Sequence, residues 1–67
     1  MPRPLSYTVY PKWFGGFENA RAAMAELGRS TADYRGWTFG GLTMTPDGFD
    51  DRGERYIATV DYRNRLC

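Results

Sequence analysis

Trp37-Thr38-Phe39-Gly40-Gly41-Leu42-Thr43-Met44-Thr45, followed after a turn by Arg55-Tyr56-Ile57-Ala58-Thr59-Val60-Asp61-Tyr62-Arg63, decides how this chain folds. The second segment alternates: Tyr56, Ala58, Val60 and Tyr62 share one face, and Arg55, Ile57, Thr59, Asp61 and Arg63 the other. A period of two is the mark of a half-buried strand. The first segment carries a fault. Trp37 and Phe39 have one parity, Leu42 and Met44 the other, with Gly40-Gly41 between them. One extra residue at a β-bulge returns both pairs to the same face. Thr45-Pro46-Asp47-Gly48 is a turn sequence, and a loop rich in Asp and Gly runs on to Glu54. The two segments therefore read as an antiparallel hairpin.

Upstream, Leu5 to Tyr10 alternates as well, with Leu5, Tyr7 and Val9 on one face and Ser6, Thr8 and Tyr10 on the other. Pro2, Pro4 and Pro11 bracket this strand, and proline cannot donate to a ladder, which places it at a sheet edge. A helix is expected from Phe17 to Leu27. Phe17, Ala20, Met24 and Leu27 form one apolar stripe, the alanines supply propensity, and Glu18 sits where the helix dipole favours negative charge. Gly28 reads as the C-terminal stop, with a polar loop from Arg29 to Gly36. The order is β-α-β-β. Prolines mark the first strand and a glycine bulge the second as edges, so the third is central. The expectation is one α+β domain over residues 1–67: a three-stranded antiparallel sheet in the order 1-3-2, one helix packed on one face, the other face open.

The totals narrow the chemistry. A chain of 67 residues buries only about 60% of the surface its unfolded form exposes, so its core is small. The one cysteine, Cys67, precludes an intrachain disulfide, and the absence of histidine rules out the usual zinc sites and the Ser-His-Asp and Cys-His arrangements. Asp47, Asp50, Asp51 and Glu54 are the only acidic cluster. Their spacing is not that of an EF-hand loop, Arg52 and Arg55 interrupt them, and a solvated hairpin tip explains them. Gly15-Gly16 before the helix lacks the lysine and serine of a phosphate-binding loop. No catalytic residue, cofactor or metal is expected, and the chain reads as a binding protein rather than an enzyme. No run approaches the roughly 20 apolar residues of a membrane span, and Met1-Pro2-Arg3-Pro4 leads into no signal-peptide core; a cytoplasmic protein is expected.

Net charge is +1, yet eight of the nine basic residues are arginine and aromatics make up 16% of the chain. Arginine suits bidentate recognition of carboxylates and phosphates, although a GC-rich genome produces the same bias. The topology separates charge, bringing Arg63 and Arg65 towards Arg3 at one end and leaving Asp47, Asp50, Asp51 and Glu54 at the other. Trp37, Phe39, Tyr56 and Tyr62 are expected to meet Phe17, Met24 and Leu27 beneath the helix. Trp13 and Phe14, in a loop, either cap the core or serve as exposed anchors. On the open face Tyr10, Arg55, Ile57 and Arg63 lie among serine and threonine, a mixture suited to a protein interface and short of the paired aromatics of an RNA-binding sheet.

The short strand Ser6-Tyr7-Thr8-Val9-Tyr10, the alanine-rich helix from Glu18 to Leu27 and the hairpin from Trp37 to Tyr62 together resemble, in size and layout, the very small proteins of phages and mobile elements, anti-CRISPR proteins among them. No motif defines that class. The resemblance implies a protein that binds a CRISPR-Cas surveillance complex and occupies a surface needed for target DNA. Two other readings stand beside it: a small nucleic-acid-binding regulator using Arg3, Arg63 and Arg65, and a homodimer joined through the sheet edges.

Overall fold

The computed structural model describes residues 2–65, which form a strand β1 (Leu5–Val9), a single 3₁₀ turn (Pro11–Phe14), a helix α1 (Phe17–Arg35) and two long strands, β2 (Trp37–Asp50) and β3 (Gly53–Asn64). The sheet order is β1-β3-β2 with both pairings antiparallel. The β-α-β-β order and the central third strand are as the sequence predicts.

The bulge is where the two glycines place it. Trp37 and Phe39 face Asn64 and Tyr62, the register shifts between Phe39 and Gly41, and Leu42 and Met44 then face Val60 and Ala58. Both pairs thus reach the helix side, where Trp37, Phe39, Leu42 and Met44 pack on the core. Two buried clusters make up that core. Val9, Ala20, Met24 and Ala58 form one; Ala32, Val60 and Tyr62 form the other; Tyr7 and Leu42 touch both.

The helix departs from expectation. It does not stop at Leu27 but runs eight residues further, to Arg35, and Gly28 is a buried residue in its interior. A Cβ on Gly28 would lie 2.7 Å from the Phe39 ring and 2.8 Å from Val60 Cγ1, so the glycine is there to let helix and sheet touch. The stop is Gly36, whose φ of 72° is the left-handed conformation of a C-terminal cap; its N–H reaches the carbonyls of Ala32 and Asp33. The buried stripe is accordingly Ala20, Met24, Gly28 and Ala32, each four residues from the last. Leu27 lies outside it and is exposed, while Phe17 packs on Tyr56 at 5.0 Å between ring centroids.

The hairpin also outruns its predicted turn. β2 passes through Thr45-Pro46-Asp47-Gly48 with a second register shift between Pro46 and Phe49, and the reversal comes at Asp51-Arg52. Asp50 fixes it: its Oδ1 accepts the Arg52 backbone N–H at 2.7 Å, the aspartate turn that holds a chain reversal. Tyr62 ends the core at the other end. Its hydroxyl is buried without a hydrogen-bond partner among the described residues, and burial pushes its pKa up.

In an exposed helix Gly→Ala stabilises by about 0.5–1 kcal/mol. Gly28→Ala is expected to do the reverse, lowering the free energy of unfolding by about 1–3 kcal/mol in urea denaturation, since the added methyl drives Phe39 and Val60 from their places. A variant as stable as the parent would mean that the helix has room to lift.

Candidate functional site

β1 supports only the middle of the hairpin, pairing with Tyr56 to Val60. Beyond it the hairpin projects, in a molecule 46 Å long and 18 by 14 Å across. This projecting end is held by side chains. The Tyr10 hydroxyl donates to Asp50 Oδ2 at 2.7 Å and accepts from Arg52 Nη1 at 3.2 Å. Arg55 Nη1 donates to the same carboxylate oxygen at 3.2 Å, and its Nε donates to the carbonyl and side chain of Asp47, both at 3.0 Å. The Arg52 guanidinium lies 5.6 Å from the centre of the Tyr10 ring, and Trp13 packs against that ring at 4.9 Å. Hairpin, 3₁₀ turn and end of β1 are thereby one braced unit.

Several expected contact residues therefore have internal duties. Tyr10 is not on an open face: β1 ends at Val9, and Tyr10 is only 7% exposed beneath Trp13 and Arg52. Asp47, Asp50 and Arg55 are spent largely on one another. What was expected as an acidic end is a charge-balanced brace, from which Asp51 and Glu54 remain outward; Glu54 takes one long contact, 3.5 Å from the Tyr56 hydroxyl. The hydrogen bond from Tyr10, then that from the Arg52 N–H, then the charges of Arg52 and Arg55 hold the Asp50 carboxyl below its usual range, with partial burial opposing them.

Around this brace the large apolar side chains are bare. Trp13 is 66% exposed, Phe49 79%, and Phe14 is exposed too. Trp13 and Phe14 are thus exposed rather than a lid on the core. Phe49 was outside the sequence-level expectations because the segment from Asp47 to Glu54 reads as loop; its position as a strand residue opposite Glu54 depends on the late turn. On the open sheet face Ile57 is half-buried between Thr8 and Thr45, and Ser6 Oγ lies 3.2 Å from Thr59 Oγ1, a largely polar surface.

At the opposite end Arg3 and Arg63 are exposed, Arg63 across from Thr38. Arg65 is engaged: its Nη2 donates to the Trp37 carbonyl at 3.1 Å and lies 3.8 Å from Asp33 Oδ1. Sequence reasoning missed Arg29 and Arg35, which the extended helix sets over the rings of Phe39 and Trp37 at 5.1 and 5.2 Å. The signal was the spacing of Met24, Gly28 and Ala32, which continues the helical stripe through what reads as a polar loop. Cys67 lies outside the described residues. Among those residues, no group of three or more acidic or cysteine side chains is placed to hold a metal ion, and no helix is long and apolar enough to cross a membrane.

Comparison of the chain with protein-family models, with curated proteins and with solved structures finds no match.

Two outcomes test the brace. Tyr10→Phe removes the hydroxyl that joins Asp50 to Arg52 and is expected to lower the thermal midpoint by about 4–8 °C. Asp50, with its folded-state pKa below the ordinary 3.8, contributes stability that is complete above that pH and is lost as pH falls through the depressed value. NMR titration should find the Asp50 midpoint below 3.8, with amide protection from Asp47 to Arg55 falling as the carboxyl protonates.

Proposed function

We propose that the chain is a non-enzymatic protein-binding inhibitor that acts by covering a surface of its partner, as its resemblance to anti-CRISPR proteins implies; the partner is then a CRISPR-Cas surveillance complex and the covered surface one that target DNA needs. The observation that carries the reading is the exposure of Trp13 and Phe49 around a rigid, charge-braced hairpin end. Tryptophan is among the residues most enriched where binding energy concentrates. Trp13, held against the Tyr10 ring at 4.9 Å, loses little conformational freedom on binding, because the brace orders it before the partner arrives. The outward Asp51 and Glu54 and the neighbouring Lys12 give the same end a polar rim.

The experiment is affinity capture of type I surveillance complexes with the tagged chain, paired with a phage-protection assay. Capture by the parent chain is expected, and Trp13→Ala with Phe49→Ala should weaken it by roughly 30-fold, the effect of losing about 2 kcal/mol at a hot spot. The double variant should unfold at the parent's temperature. No capture together with no protection of phage would overturn the reading, as would full capture by the double variant.

A further inference from the structure

On the side of α1 that faces β2, arginines are laid on aromatic rings. Arg29 sits over Phe39 at 5.1 Å and Arg35 over Trp37 at 5.2 Å. Arg29 also lines a shallow groove of about 230 Å³ with Arg21 and Glu18, floored by Ala22, Ala25, Phe39 and Leu42. Arg65, bound to the Trp37 carbonyl, continues the row past the helix end. Arg35 follows Arg29 by six positions along the helix, a rise of about 9 Å.

Stacking uses only one face of a guanidinium. Its five N–H groups lie in its plane, in a fork that matches a carboxylate or phosphate. Among the described residues Arg21, Arg29 and Arg35 have no hydrogen-bond acceptor and no ion pair; the arginine pairings belong to Arg52, Arg55 and Arg65. Arg29 and Arg35 are thus oriented by the rings beneath them while their N–H groups are left unspent.

We infer that this row receives the carboxylates of an acidic, extended segment of a protein partner. The inference rests on the reading of the chain as a protein-binding module and assigns that module a second contact, remote from the hairpin end. Two features favour a polypeptide over a nucleic acid. The outer face of Phe39 is covered by Arg29, and Trp37 is held between Arg35 and the Tyr62 ring, 5.2 Å away, so no base finds a free aromatic face in the row. Glu18 within the groove and Asp33 beside Arg65 break the positive charge, which an unbroken chain of phosphates would meet as repulsion. A polypeptide can set carboxylates against the arginines, a neutral or basic residue against Glu18, and aliphatic carbons on Ala22, Ala25 and Leu42.

The test is an NMR titration of the full chain, observing arginine Nε–Hε signals, with a glutamate-rich extended peptide and in parallel with single-stranded DNA of equal net charge. The peptide is expected to shift Arg29 and Arg35 at millimolar concentration. Arg29→Ala with Arg35→Ala should weaken its binding by roughly tenfold, and Arg29→Lys with Arg35→Lys, which keeps the charge and loses the fork, by a smaller factor; native circular dichroism confirms that each variant folds. No shift of these signals with the peptide, undiminished peptide binding by the alanine pair, or DNA acting at lower concentration than the peptide would each overturn the assignment. Trp13→Ala with Phe49→Ala should leave the peptide response intact, so that a failure here and a failure of the hairpin-end reading are seen separately.

Discussion

The approach of α1 to the sheet at Gly28 governs the rest of the molecule. A hydrogen atom in place of a side chain lets the helix settle on Phe39 and on Val60, which is the one large side chain fully enclosed among the described residues. Ala20 and Ala32 are the other small members of the stripe, Met24 is its one bulky member, and the remaining bulk of the core comes from the sheet. The same closeness puts Arg29, the next residue, within stacking range of the Phe39 ring. Packing and surface chemistry are thus two results of one small residue.

What the helix cannot cover must hold itself together by other means. β3 has 12 residues and β1 only five, so most of the hairpin's projecting end lacks a third strand. The chain leaves the apolar side chains of that end, Trp13, Phe14 and Phe49, exposed rather than packed. It uses a tyrosine and a set of alternating charges, exposed enough to be paired cheaply and close enough to the Tyr10 ring to be kept in place. The outcome is an extremity that is ordered without being buried, the condition under which an aromatic ring such as Trp13, packed on Tyr10, can stand in water yet keep its position.

Much of the fold was legible because period-two patterns are insensitive to context: the strands, the bulge at Gly40-Gly41 and the 1-3-2 order could all be read from parity and from proline. The helix end was misread because glycine has two uses, as a cap and as a point of close contact, and only the sheet that lies against Gly28 distinguishes them. Gly36, a residue of the same type eight positions on, was the true cap. The turn was misread for a similar reason. Pro46-Asp47-Gly48 has the composition of a reversal, but Arg55 holds Asp47 across the strands, and a long-range tie of that kind leaves no local signature. As to the candidate site, the residue types were legible and their roles were not. Tyr10, Asp47, Asp50 and Arg55 were read as surface and are brace; Arg29, Arg35 and Phe49 were passed over because each depends on an element that runs further than its local pattern suggests.

The outer side of β2 has a property of its own. Strands left open along one side can recruit others, and 14 residues make a long invitation. This strand is broken twice, by the slip at Phe39/Gly41 and by that between Pro46 and Phe49. Between those breaks the regular run is short, and Pro46, at its end, has no N–H to offer. Any neighbour that comes to this flank therefore meets few consecutive backbone positions and a row of side chains instead. Recognition there is a matter of which groups the visitor carries, not of whether it can lie straight.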